Sequence, residues 1–321
     1  MRFGFISHVV SDGDSAAALR EVVELAVVAE ECGFDSFWVA QHHFGAQRAH
    51  CPAPLVVLAA IAQRTERIRL GTAVVVGSLE HPIRLAEDAT TVDALSAGRL
   101  ELGLGAGADI GSAERFGREH EARHEQFAEN LRELCALLGP DSDLVPAGNG
   151  LRDRLWLGTA SESGFELAAQ LDLGVLTGRT SSPQGPRDEI AAERVAKYRA
   201  AQAAAGREPR VGLSRSVLCA ESAAVAFEHM RPGIERWVST SIAAGRFPVG
   251  FSALDYVDTG HGYLGTGTAV AASIRRDPGL PGATELLCNV QPAGPSPAAV
   301  RTSLRMFADE VIAPWGDPSR I

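Results

Sequence analysis

Residues 68–105 have the sequence IRLGTAVVVGSLEHPIRLAEDATTVDALSAGRLELGLG, which carries the pattern of a strand, a helix and a second strand. The β-branched and aliphatic run at 68–76 predicts a buried strand. Pro82 suits the first turn of a helix and Gly98 suits its end, so a helix is predicted between them. Residues 100–104 form the next strand and lead into a glycine-rich loop. The segment therefore predicts one β-α-β unit with parallel strands.

The same alternation extends along the chain in both directions. Eight β-then-α units follow one another, with no change in composition that would mark a linker. They predict a (β/α)8 TIM barrel, because doubly wound sheets more often stop at about five or six strands. One domain over 1–321 is predicted, with a late insertion or lid at about 231–262. Strands are predicted at 2–9, 34–40, 68–76, 100–104, 155–159, 174–177, 211–220 and 285–290, and helices at 16–32, 54–64, 82–98, 119–138, 161–171, 187–205 and 297–312. The segment 221–276 is predicted to be mixed helix and loop.

Composition excludes several classes of protein. The 321 residues include 30 Lys and Arg against 40 Asp and Glu, for a net charge of −10. This acidic balance argues against nucleic-acid and anionic-membrane partners, which require a basic surface. No apolar run reaches the roughly 18 residues that a membrane span needs. Five widely spaced cysteines without a C-x-x-C pair, and a start that lacks a signal-peptide core, predict a cytoplasmic protein.

Residues 120–124, HEARH, match the H-E-x-x-H pattern of zinc hydrolases. In those enzymes both histidines bind zinc from one helix face, and the glutamate activates water. The many charged neighbours favour a solvated helix with ion pairs one turn apart. A third ligand would have to come from Asp141 or Asp143. No metal site is therefore predicted, and a zinc hydrolase stays as the last alternative.

Two strand ends carry residues suited to ligand binding, as expected at the catalytic end of a barrel. Ser161, Ser163 and Gly164 follow one strand and open a helix, where free N–H groups and hydroxyls converge on an anion. Ordinary helix capping explains the same residues. Gly105 and Gly107 follow another strand and predict a backbone that comes close to a flat or bulky group.

Three segments together resemble the luciferase-like flavin monooxygenase family, and the likeness covers most of the chain. The first is 33–44, GFDSFWVAQHHF, in which a strand is followed by two histidines and an aromatic residue. The second is 68–105, and the third is 155–164, LWLGTASESG, followed by a helix. The resemblance implies a (β/α)8 barrel that binds reduced flavin at its C-terminal mouth and reacts it with dioxygen.

The resemblance also implies roles for individual residues. His42 corresponds to the family's catalytic histidine, and Ala73 and Val74 to a non-proline cis peptide that presses on the flavin ring. Gln41 stands where relatives commonly carry glutamate, so a charge near the flavin is expected to be missing. The implied cofactor-binding set is Gln41, Ala73, Val74, Gly105, Ala106, Gly107, His124, Ala160, Ser161, Ser163 and Gly164.

The chain departs from the bioluminescent members of the family at two of these positions. Gly105 replaces a reactive cysteine, and Ala106 replaces an arginine that binds the flavin phosphate. Arg123 or His124 is the nearest candidate for a replacement cation. The small side chains at 105–108 leave room for a larger substrate or for a deazaflavin cofactor, which other relatives use.

The function implied is that of a two-component monooxygenase. Reduced FMN would come from a separate flavin reductase, and a small organic substrate would be oxygenated through a flavin hydroperoxide. One alternative is a deazaflavin-dependent oxidoreductase that transfers hydride on the same barrel. Another is a non-catalytic flavin-binding paralogue that acts as a partner subunit. The resemblance further implies a homodimer.

Overall fold

The computed structural model describes residues 1–45, 48–179, 182–292 and 294–315. Its strands are β1 (Arg2–Ser7), β2 (Ser36–Val39), β3 (Arg69–Thr72), β4 (Val75–Val76), β5 (Leu100–Gly105), β6 (Leu155–Gly158), β7 (Gly174–Thr177), β8 (Val211–Cys219), β9 (Tyr263–Gly265) and β10 (Glu285–Asn289). Its α-helices are α1 (Ser15–Glu31), α2 (Pro54–Ala62), α3 (Pro82–Leu95), α4 (Ile110–Arg115), α5 (Arg123–Leu137), α6 (Glu162–Gln170), α7 (Asp188–Ala204), α8 (Ala223–Ala243), α9 (Ala253–Asp258), α10 (Gly267–Arg275) and α11 (Pro297–Phe307). None of these helices combines the length and the apolarity that crossing a membrane requires.

The strands close into a parallel barrel. The order around the ring is β10-β1-β2-β3-β5-β6-β7-β8, and β8 pairs back with β10. Strand β4 resumes the course of β3 after a two-residue break and pairs with β5, while β9 pairs with the end of β8. With β3 and β4 counted as one, the ring has eight strands. The predicted (β/α)8 TIM barrel is confirmed.

Two tryptophans fill the inside of the barrel. The Trp38 and Trp156 rings meet edge to face with centroids 5.7 Å apart, and both side chains are fully buried. Trp38 Nε1 donates to Ser36 Oγ at 2.6 Å, and Trp156 Nε1 donates to Glu101 Oε2 at 2.6 Å. Buried indole N–H groups need such acceptors. Gly71 lies against the Trp38 ring, where a β-carbon would overlap the indole.

The helix predicted at 119–138 begins later than expected. Helix α5 starts at Arg123, and residues 116–122 form turns and bends instead. Gly117 adopts a φ of 66°, and the Arg118 N–H donates to the Ala113 carbonyl at 2.9 Å. This left-handed residue turns the chain away from the axis of α4, so the charged stretch around His120 cannot continue as helix.

The late part of the chain is more regular than predicted. The segment 221–276 contains α8, α9, α10 and the unpredicted strand β9. Within 231–262, aromatic and aliphatic side chains form a second core together with Leu218; these are Ile234, Val238, Phe247 and Tyr256. A lid function for this segment stays a prediction.

We expect Gly71→Ala to lower the free energy of unfolding by at least about 1–3 kcal/mol, because overpacking a rigid buried ring costs that much. Gly178→Ala is the matched control, since nothing lies within 4 Å of a β-carbon there. Urea denaturation of the two variants and the parent protein checks the difference. Equal stability of Gly71→Ala and the parent would show that the barrel interior is not packed as described.

Candidate active site

A cavity of about 230 Å³ lies at the C-terminal mouth of the barrel, among the loops that follow β1, β2, β4 and β5. Such a position is where barrel enzymes carry their chemistry. The cavity brings together six residues of the implied catalytic and cofactor-binding set, which are Gln41, His42, Ala73, Val74, Ala106 and Gly107. Its other polar lining residues are His8, His43, Ser78, Asp109, Ser112, His120 and Arg123.

The floor of the cavity is the peptide between Ala73 and Val74, which is cis as the resemblance implies. Val74 rests between two glycines, Gly105 and Gly158. A β-carbon at Gly105 would be 2.7 Å from Val74 Cγ2, and one at Gly158 would be 2.6 Å from Val74 Cγ1. These distances are shorter than carbon atoms tolerate, so both positions require glycine. Gly105 therefore lies behind Val74 and supports the floor from outside the cavity.

Gly107 shapes the wall beside this floor. Its φ is 77°, and a β-carbon there would lie 2.5 Å from Val76 Cγ1. Only glycine combines this backbone conformation with such a close approach. The backbone at Gly107 thus comes close to the Val76 side chain, and a close approach to a flat bound group there stays a prediction.

A pair of histidines stands at one side of the cavity. His42 Nε2 lies 3.1 Å from His8 Nδ1. The backbone N–H of His42 donates to the Cys51 carbonyl at 2.9 Å. Burial lowers the pKa of His8 to about 3, with a smaller contribution from His42. Burial also lowers the pKa of His42; the neighbouring His43 adds to this effect and Asp109 opposes it. Both rings are therefore neutral near pH 7, and one donates its N–H to the other.

Gln41 lines the cavity, but its amide is engaged in the surrounding structure. Its Oε1 accepts from the Val76 N–H at 2.6 Å, and its Nε2 donates to the Pro52 carbonyl at 3.0 Å. Its Nε2 also lies 3.1 Å from Glu80 Oε1 and donates to it. The negative charge expected to be missing at Gln41 is thus present one hydrogen bond away, on Glu80.

The sequence reasoning missed Asp109 and Ser112 as cavity residues. Asp109 caps α4 and accepts from the Ser112 N–H at 2.8 Å and from the Ser112 hydroxyl. These two bonds with Ser112 lower the pKa of Asp109. The three-residue spacing of the pair is typical of a helix N-cap and could have placed both at a helix start.

His120 and Arg123 carry polar atoms that face no partner in the described structure. His120 Nε2 and Arg123 Nε are buried without a hydrogen bond there, whereas Arg123 Nη1 donates to the His120 carbonyl at 2.8 Å. Buried N–H groups nearly always find an acceptor in native proteins. His43 Nε2 at the same cavity is also buried without a partner in the described structure, so three unpaired nitrogens there are suited to receive an acidic ligand group.

The zinc alternative does not fit this arrangement. His120 precedes α5, and His124 is an exposed residue in its first turn, so the two rings do not share a helix face. The described residues contain no group of three His, Cys, Asp or Glu side chains that could hold a metal ion. His124 also lies outside the cavity lining, which leaves Arg123 as the better of the two cation candidates.

The start of α6 lies beyond the floor of the cavity. Ser161 Oγ accepts from the Gly164 N–H at 3.2 Å and lies 3.3 Å from Ser163 Oγ, and the Ala160 carbonyl accepts from Arg194. None of these four residues of the 160–164 segment lines the cavity. Ser161 thus acts as an ordinary helix cap in this structure, and an anion site there stays a prediction.

Comparison with known proteins places the chain in a family. Residues 1–278 match the luciferase-like monooxygenase family. The oxygenase component of the flavin-dependent trigonelline monooxygenase of Acinetobacter baylyi is 37% identical over 111 residues, which are 34% of this chain and 31% of that protein. The F420-dependent glucose-6-phosphate dehydrogenase of Amycolatopsis mediterranei is 38% identical over 122 residues, or 37% of this chain and 36% of that protein.

A solved structure shares the whole fold. It is the oxygenating constituent of the 3,6-diketocamphane monooxygenase of Pseudomonas putida in complex with FMN, with a TM-score of 0.77 and 20% identity over 97% of both chains. The present chain spans about a third of the length of the first curated relatives that it matches. The family match is far more extensive and reaches from β1 to beyond α10. The chain belongs to the luciferase-like monooxygenase family.

Proposed function

We propose that this protein is the oxygenase component of a two-component monooxygenase. It would use dioxygen and reduced FMN, delivered by a separate flavin reductase, to oxygenate a small organic substrate. The observation that carries the proposal is the cavity floor at Ala73 and Val74, held up by Gly105 and Gly158, with unpaired nitrogens at the same cavity. A flat ring fits the apolar floor, and a phosphate group attached to it fits the buried unpaired nitrogens.

The residues present fit FMN in two respects. Ala73, Val74 and Gly107 offer a surface without bulky side chains to the ring. Arg123, with its unpaired buried Nε, and His120 supply donors for the phosphate. Ser161 and Ser163 lie outside the cavity lining, so the helix start that they form is the alternative phosphate site. Arg123 would then replace the cation that is absent at Ala106. When bound, reduced FMN supplies the electrons that activate dioxygen.

The chain's own contribution to the chemistry is proton handling and exclusion of water. His42 is neutral and keeps Nε2 on His8, which leaves Nδ1 to exchange a proton with a ligand in the cavity. Leu79, Ala106 and Ala113 line the walls with apolar groups and limit the access of water.

A homodimer, as the resemblance implies, is part of the proposal. Val56 on α2 and Ile83 on the adjoining α3 are exposed, with 71% and 43% of their surface accessible. A second copy of the chain would cover these apolar groups.

A deazaflavin-dependent oxidoreductase is the second candidate function. The similarity to an F420-dependent dehydrogenase favours it, as do the small side chains at 106–108. The two candidates differ in their use of oxygen, since hydride transfer to or from a deazaflavin consumes none. Measuring which reduced cofactor the purified protein binds, and whether oxygen is consumed, separates them.

We expect His42→Ala to lower product formation by at least about a hundredfold, because a positioned acid or base contributes that much. FMN affinity should stay within about threefold, because the contacts that hold the flavin ring and its phosphate are assigned to other residues. Incorporation of isotopically labelled dioxygen, followed by mass spectrometry on a panel that begins with trigonelline and 3,6-diketocamphane, measures turnover. His229→Ala, an exposed histidine on α8, is the control. Unchanged turnover in His42→Ala would refute the assignment, and FMN binding without turnover in the parent would favour a non-catalytic subunit.

Arg123→Ala should weaken FMN binding by about ten- to a hundredfold, because a hydrogen bond to a charged group contributes about 1.5–3 kcal/mol. Riboflavin lacks the phosphate, so its affinity should be unchanged. Titration calorimetry with both flavins gives the two ratios. Arg132→Ala is the matched control on α5, because that exposed side chain donates to the Ala128 carbonyl. Equal losses for FMN and riboflavin would place the phosphate elsewhere.

The buried histidine pair predicts a dependence of stability on pH. The folded protein excludes protons from His8 between its folded pKa of about 3 and its ordinary value of 6.5, whereas the unfolded chain binds them. Stability should therefore fall as the pH drops below about 6.5, by up to about 1.4 kcal/mol per pH unit for this group. His8→Gln should lose that part of the slope in urea denaturation between about pH 4 and pH 7. An unchanged slope, with His229→Gln as the control, would contradict the assignment.

A further inference from the structure

A second cavity of about 500 Å³, which we name the α1–α11 cavity, lies beside the first. It is bounded by the starts of α1 and α11 and by the ends of β1 and β10. It has roughly twice the volume of the cavity that contains His42. Its size lies within the range of about 300–1,000 Å³ that small organic ligands occupy.

The wall of the α1–α11 cavity is mainly apolar. Aliphatic and aromatic side chains from α1, α11, β1 and the loop that follows β10 form it; these include Phe5, Val22, Leu25, Val290 and Val300. A wall of this kind favours a ligand that buries apolar surface.

The charged groups at this cavity are already paired. Glu21 on α1 forms an ion pair with Arg301 on α11, and Arg48 forms one with Asp12. An ionic ligand would have to displace one of these partners, whereas an uncharged ligand leaves both pairs intact. Among the described side chains that line the two cavities, those with a buried, unpaired nitrogen all line the first cavity; they are His43, His120 and Arg123.

The two cavities meet at the histidine pair. His8 lines both of them, and its Nδ1 lies 3.1 Å from Nε2 of His42, which lines the first. Because burial holds the pKa of His8 at about 3, this shared wall is uncharged at working pH. A ligand in the α1–α11 cavity would therefore lie one neutral side chain away from the assigned acid or base.

We propose that the α1–α11 cavity binds the organic substrate, and that this substrate is an uncharged, mainly apolar molecule. The inference rests on the proposed function, since it names the substrate class of the same site. It assigns the first cavity to the cofactor and the second to the substrate, with His8 between them.

The test uses two dyes with the same carbon skeleton. N-phenyl-1-naphthylamine is uncharged, and 1-anilinonaphthalene-8-sulfonate adds one sulfonate to it; the fluorescence of both rises in apolar surroundings. We expect the purified full chain to bind the uncharged dye at least about tenfold more tightly than the sulfonate. Equal or tighter binding of the sulfonate would overturn the proposed substrate class.

The location is tested by filling the cavity from α1. Ala18 lines it and Ala16 does not, although both belong to the first turn of the same helix. Ala18→Phe should weaken binding of the uncharged dye by at least about tenfold, and Ala16→Phe should leave it unchanged. Ala17→Trp fills the same cavity from an exposed position, which guards against misfolding of Ala18→Phe. Dye binding that is insensitive to both cavity-filling variants would overturn the proposal.

A parallel titration with FMN separates this proposal from the proposed function. FMN affinity should be the same in Ala18→Phe and in the parent chain, because the flavin is assigned to the other cavity. A chain that binds the dye in an Ala18-dependent way but does not bind FMN would keep this cavity assignment and refute the proposed function. If the chain binds FMN but dye binding is the same in Ala18→Phe and the parent, the proposed function stands and this cavity assignment is refuted.

Discussion

The contact on which the site depends is the edge-to-face pair of Trp38 and Trp156 inside the barrel. The two indoles pack in one apolar cluster with Ala73 and Val74, so they support the cavity floor from below. Each ring is oriented by a hydrogen bond to a buried oxygen, and the neighbouring strands contribute glycine where the rings lie. A packed interior of this kind transmits any change of volume directly to its surface. The position of the floor is therefore set by two side chains that do not line the cavity.

Much of the fold follows from local sequence pattern. The eight barrel strands are apolar runs bounded by turns, and proline or glycine punctuates the helix from Pro82 to Leu95. Strand β9 is only three residues long, and it exists because it extends the edge of β8, which no local pattern reveals. The charged stretch before Arg123 is compatible with a helix, yet the turn at Gly117 prevents one. In both cases a tertiary contact or one backbone conformation overrides a weak propensity.

Some residues of the candidate site could likewise be predicted from the sequence, and others could not. His42, Ala73, Val74 and Gly107 were identified through the resemblance, and the structure brings them to one cavity. The burial of His120 Nε2 depends on how residues 116–122 turn, whereas the spacing of His120 and His124 alone matched a metal-binding pattern. Arg123 was one of the two candidate cations named from the sequence. The negative charge of Glu80 reaches Gln41 from 39 positions away. Such a pairing is visible only once the barrel closes.

The glycine at position 105 has a consequence for engineering this family. The resemblance implies a reactive cysteine at this position in the bioluminescent members, and Gly105→Cys would change only one small side chain. Here the new sulfur would have to enter the space that Val74 Cγ2 occupies, since even a β-carbon would lie 2.7 Å from that methyl group. The two positions are thus one steric unit shared by neighbouring strands. A cysteine at position 105 would fit only if Val74 were replaced by a smaller residue. That second change would alter the surface that faces the ligand.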